Sequence, residues 1–141
     1  MKSRFTWMSV LVAIAAIACL VNIANAKPEE AAQAAAEKWL AIVDDGKYDE
    51  SWVELSATFK DAVGKRAWKS TIAEIRKPFG KNVSRTLKSA VLTKDLPGAP
   101  EGEYVVLTFE SVFNYRSNAV EIVTPVLGSD LTWRVAGYSI K

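Results

Sequence analysis

The chain contains no histidine and only one cysteine, Cys19. The first absence removes the neutral-pH proton shuttle, His-based catalytic triads and imidazole-ligated zinc together. The second rules out an intramolecular disulfide, so the fold has to rely on packing. No cluster of metal-ligating residue types is present, and nothing in the composition calls for a cofactor. An excess of one charge is also missing: 18 basic and 16 acidic side chains leave a net of +2. Nucleic acid is not among the expected partners. Apolar residues run together at length only near the start.

That start has three parts. Lys2 and Arg4 are positive, Trp7 to Val21 is nearly unbroken apolar sequence, and Ala24-Asn25-Ala26 precedes Lys27-Pro28. In this order they read as a secretory signal peptide with an A-x-A cleavage site. The apolar run is shorter than the roughly 18 to 20 residues that span a bilayer, so a retained anchor is the weaker reading. Cys19 lacks a branched apolar residue three positions before it and is followed by apolar residues, which argues against lipid attachment. The expectation is cleavage after Ala26 and export, periplasmic or secreted. A signal peptide over 1–26 is then followed by a single domain over 27–141, long enough for one core.

Lys2 and Arg4 carry the whole net charge, and residues 27–141 balance 16 basic against 16 acidic side chains. The balance is uneven along the chain. Residues 27–59 are net −5, 60–94 net +8 and 95–141 net −3.

Helical period governs the first half. Ala32, Ala35, Ala36, Trp39, Leu40 and Val43 form one stripe, with Pro28 in the first turn, Glu29 and Glu30 beside it, and Gly46 as the stop. A second helix is expected from an Asp49 cap, burying Trp52, Leu55, Ser56 and Phe59. A third follows Gly64, with Trp68, Ile72, Ile75 and Phe79 inward, and ends at Pro78 and Gly80. From about Asn82 the period becomes two. In "EYVVLTFESVFNY" the positions Val105, Leu107, Phe109, Phe113 and Tyr115 face one way. "SRTLKSAVL", "AVEIVTPVL" and "LTWRVAGYSI" supply three more strands, with turns expected at Ser117-Asn118 and Gly128-Ser129-Asp130. Three helices followed by four strands predict an α+β domain, the helices packed on one face of a curved four-stranded antiparallel sheet.

The stretch "LPGAPEGEY" is not an anion-binding loop. Pro97 and Pro100 remove N–H donors, a strand rather than a helix follows, and Glu101 and Glu103 repel anions. It reads as a stiff connection between strands.

Over nearly all of residues 27–141 the sequence resembles a bacterial exported family, domain of unknown function 4019. The resemblance rests on "AAEKWLAIVDDGKYDESWVELSATFK", Trp68 and "IRKPFGKNVSR" in the helical part. In the sheet it rests on "LPGAPEGEYVVLTFESVF", "AVEIVTPVL" and "WRVAGYSIK". It implies a small exported α+β domain, an NTF2-like or cystatin-like roll, with no established activity.

Several residues are candidates for a site. Arg76, Lys77, Lys81 and Lys88, together with Arg85, concentrate positive charge within thirteen positions and form a candidate anion patch for an anionic envelope component. The plainer reading is a solvated face paired with the acidic helices. Arg85 shares a strand face with Leu87 and needs a carboxylate. Glu121 interrupts "AVEIV" and is either a general acid or base, with Tyr104 or Tyr138 as helper, or the partner of Arg85 or Arg134. Tyr104, Tyr138 and Trp133 line a pocket or belong to the core. The favoured function is a non-catalytic envelope module that binds a small amphiphile, an anionic surface or a protein. An NTF2-like enzyme built on Glu121 is the alternative. One open sheet edge is compatible with a monomer or a homodimer.

Overall fold

The computed structural model describes residues 26–141. Apart from Ala26, the expected signal peptide lies outside the described residues. Four helices, α1 (Pro28–Asp44), α2 (Tyr48–Val53), α3 (Ala57–Ala62) and α4 (Lys65–Arg76), precede four strands. These are β1 (Asn82–Thr93), β2 (Tyr104–Phe113), β3 (Arg116–Leu127) and β4 (Trp133–Ile140). The strands pair antiparallel in the order β1-β2-β3-β4, a meander whose edges are β1 and β4. The expected α+β architecture is present, with four helices among the described residues where the sequence suggests three.

The stripe on α1 explains its position. Pro28 opens the helix, Glu29 and Glu30 stand at its positive end, and Gly46 at φ +73° turns the chain out after Asp45. Ala32 and Ala36 are completely buried, so the helix lies close against the sheet, where it touches all four strands. Trp39, Leu40 and Val43 continue that face and meet Trp68 and Ile72 of α4 and Val105, Leu107, Phe109, Val123 and Val135 of the sheet. Each large side chain enclosed in this way stabilises the fold by roughly 1.5–3 kcal/mol.

The expected second helix is two short ones. Ser56 adopts an extended conformation (φ −58°, ψ 151°), its Oγ accepts the Phe59 N–H at 3.2 Å, and its own N–H donates to the Val135 carbonyl of β4 at 2.9 Å. A serine satisfies both a new helix start and the sheet edge, and the chain breaks there. Asp49 is not the cap of α2; it sits in the first turn and bridges to Lys69 at 3.2 Å.

The β2–β3 turn also differs from expectation. It falls at Asn114–Tyr115, while Ser117 and Asn118 belong to β3. The Asn114 N–H donates to the Lys81 carbonyl and the Tyr115 N–H to that of Phe79, which fixes the turn early. Tyr115 is therefore exposed rather than aligned with Phe113, and its ring lies over Gly80. At the other end of the sheet, the segment 94–103 is tied down by the Tyr104 hydroxyl, which donates to the Pro100 carbonyl at 2.8 Å. The Leu127 N–H donates to Glu103 beside it.

Candidate functional site

Six of the eight elements send one side chain to a common point under the end of α1. These are Asp44 (α1), Arg76 (α4), Arg85 (β1), Ser111 (β2), Glu121 (β3) and Tyr138 (β4). Register sets the sheet's share. Arg85 lies opposite Ser111, and Glu121 lies opposite Phe109 on the face that meets the helices. Helical period sets the rest. Arg76 follows Trp68 and Ile72 by eight and four positions, on the inward stripe of α4.

Glu121 is fully enclosed. Its Oε1 accepts from Arg85 Nε at 2.7 Å and from Ser111 Oγ at 2.6 Å, and its Oε2 accepts from the Tyr138 hydroxyl at 2.6 Å. Asp44 accepts from Arg76 Nη2 at 2.7 Å and from Arg85 Nη1 and Nη2 at 2.9 and 3.2 Å. Arg76 Nη1 donates to the Tyr138 oxygen at 3.3 Å and stands 3.8 Å from Glu121 Oε2. The Arg76 guanidinium also lies over the Phe113 ring, 4.9 Å from its centre. Two cations face two anions. Among the described residues, no buried side-chain nitrogen or oxygen is left without a partner.

The protonation of the cluster follows from this geometry. Burial alone would lower the Arg85 pKa, but its hydrogen bonds to Asp44 and Glu121 outweigh burial and hold it above the ordinary value. Arg76 is also raised, the pull of burial being overcome by Tyr138 and Asp44. Burial, reinforced by the Glu121 charge, pushes the Tyr138 phenol well above its usual range.

The structure brings Arg85, Glu121, Tyr138 and, from the basic run, Arg76 together and separates Arg134 and Tyr104 from them. Arg134 does not reach Glu121. It forms a two-pronged pair with Asp130 in the β3–β4 hairpin at 3.0 and 2.8 Å. That pair, with the Thr132 N–H, lowers the Asp130 pKa to about 2. Tyr104 is buried at the opposite end of the sheet from the cluster.

The four-residue anion patch does not form one surface. Arg76 is 5 % exposed and committed to the cluster, and Lys88 pairs with Glu110 at 3.4 Å. Lys77 and Lys81 remain, beside a cleft of about 350 Å³ lined also by Val43, Asp44 and Tyr48. The ends of α1 and α4 meet at this cleft, and helix C-termini favour cations. Part of the basic run therefore has an internal role.

Sequence reasoning missed Asp44 and Ser111. Ser111 had a signal, as the one polar residue among Val105, Leu107, Phe109 and Phe113 on the inward face of β2. Asp44 had a fainter one: an acid in the last turn of a helix opposes the macrodipole and needs a cationic partner.

A groove of about 460 Å³ lies at the other end of the sheet. It is formed by Ser56 and Thr58, the 100–104 segment, and Val126, Asp130, Thr132 and Arg134. It shares Ser56, Thr58, Pro100, Tyr104 and Val126 with a more apolar recess of about 290 Å³, lined by Phe59, Leu96, Ala99 and Ala136. Tyr104 and Arg134 thus stand on one groove, and the 95–103 connection forms one of its walls.

The family described as "Protein of unknown function (DUF4019)" matches the chain over residues 35–138. The chain belongs to that family. Its matched span takes in every member of the buried cluster and both walls of the groove. No curated protein and no solved structure matches this DUF4019 domain. Among its described residues, no three Cys, Asp or Glu side chains are grouped to hold a metal ion.

Proposed function

We propose that this DUF4019 protein is an exported, non-catalytic binding module that takes a small amphiphile in the groove between α3, the 95–103 connection and the β3–β4 hairpin. The observation that carries the reading is the contrast between the two ends of the sheet. Glu121, the acid on which a catalytic reading rests, is fully enclosed with both oxygens engaged. A catalytic acid has to meet its substrate within hydrogen-bond reach. The open end instead offers an apolar recess (Phe59, Leu96, Ala99, Ala136) continuous with a polar mouth (Ser56, Thr58, Asp130, Arg134). That pairing suits a molecule with one apolar and one polar end. The Arg134–Asp130 pair presents both signs of charge at the mouth. Export rests on the signal-peptide pattern of residues 1–26.

Calorimetric titration with a lysophospholipid below its micellar concentration tests the groove. Binding is expected, and Ala136→Trp, which fills the recess, should remove it without changing the thermal midpoint by more than a few degrees. Absence of binding, or binding that survives in the filled variant, would count against the proposal.

A further inference from the structure

We infer that the free edge of β1 is a self-recognition surface, at which two copies of this chain pair residues 89–93 antiparallel about Val91 and join their sheets. β1 is an end strand, so among the described residues one side of its backbone has no partner strand. Its two halves are guarded differently. Between Asn82 and Lys88 the pairing with β2 is interrupted twice, at Val83 and at Lys88, and Arg85 and Lys88 bring charge. Bulges and lysines are devices that stop an edge from pairing. From Ser89 to Thr93 the pairing is regular, and the run Ser-Ala-Val-Leu-Thr carries no charge, proline or glycine.

Exposure marks the same strand. Among the described residues, Val83, Val91 and Leu92 are three of the six large apolar side chains left exposed, at 61, 54 and 39 %. An apolar, unguarded edge calls for another strand.

The sequence of the run suits a second copy as that strand. With a two-fold axis at Val91, that residue meets its own counterpart, Ala90 meets Leu92, and Ser89 meets Thr93. A small side chain thus opposes a large one on the helix side. On the far side a Val–Val pair is flanked by hydroxyl pairs, which are favourable cross-strand combinations. A surface complementary to itself closes as an isologous dimer. The flanks do not oppose closure by bare repulsion. Lys88 would face Lys94, but each has its own acid, Glu110 at 3.4 Å and Glu103 at 3.7 Å.

Sedimentation of protein purified from cells expressing the full chain, followed over a wide concentration range, tests this. A monomer–dimer equilibrium is expected. Val91→Lys, which sets two cations against each other on the axis, should weaken it by more than about tenfold while leaving circular dichroism unchanged, and the thermal midpoint unchanged at dilutions where both proteins are monomeric. In a Cys19→Ser background, Val91→Cys should form an intermolecular disulfide on mild oxidation, and Val53→Cys, equally exposed on α2, should not. A monomer at every concentration overturns the inference, since the edge would then await a strand from a different protein. So does a dimer indifferent to Val91→Lys, or equal cross-linking at positions 91 and 53.

Discussion

Arg85 connects the two acids of the buried cluster, its Nε to Glu121 and its two Nη atoms to Asp44. Arg85→Ala should therefore cost about 3 kcal/mol, because it strands an enclosed carboxylate, and urea denaturation would measure the loss. The double change Arg85→Met with Glu121→Leu should recover much of it, short of the full amount because the Ser111 and Tyr138 hydroxyls lose their Glu121 acceptor. Arg76 and Asp44 then remain as a balanced pair at 2.7 Å, and the space is refilled with apolar volume. A double variant no more stable than Arg85→Ala would show that the cluster does more than balance charge. Tyr138 gives the pH dependence. Its folded-state phenol holds the proton more tightly than an unfolded one. The stability this contributes is complete below the unfolded value of about pH 10 and is lost as pH rises towards the higher folded value. Tyr138→Phe lacks that titration, so between about pH 9.5 and 11.5 its urea midpoint should fall less steeply than that of the unaltered chain.

At the level of the elements, the 95–103 connection turns on a glycine. Gly98 sits at φ +77°, and a side chain there would meet no heavy atom within 4 Å. Gly98→Val should thus cost about 1 kcal/mol from backbone strain alone, read as a lower thermal midpoint. Gly80 is different: it has φ +72°, and a Cβ would come within 2.8 Å of the Tyr115 ring. Much of this architecture was legible in the sequence because period and burial coincide. The α1 stripe from Ala32 to Val43 and the alternation from Val105 to Phe109 are both one-face patterns that local spacing records. The departures have a common origin in tertiary hydrogen bonds. Ser56 splits a helix because β4 offers it the Val135 carbonyl, and the β2–β3 turn moves to Asn114–Tyr115 because Phe79 and Lys81 offer theirs. The Arg85–Glu121 pairing could be considered because strand alternation is simple. Arg76 was misplaced because a basic run suggests a surface, although its own helical spacing puts it inside.

For the molecule as a whole, the basic middle of the chain is partly internal. Arg76 and Arg85 leave the surface to clasp the helical layer to the sheet through Asp44 and Glu121. The helical layer has a second clasp of a different kind. Fully buried Ser51 accepts the Trp39 indole N–H on its carbonyl at 2.9 Å and the Trp68 indole N–H on its hydroxyl at 2.9 Å, while the Trp52 N–H donates to Val63 at 2.8 Å. The Trp39 and Trp68 rings lie 6.0 Å apart at 44°. Chromophores that close and that inclined couple their strong far-ultraviolet transitions, so the dichroism of this protein should carry an indole couplet that reports how α1 and α4 are seated. Trp133 is the one indole in the sheet. Loosening the helices from one another would erase the coupled band while the amide signal of the strands persisted, which gives the protein a built-in optical gauge of its helical layer.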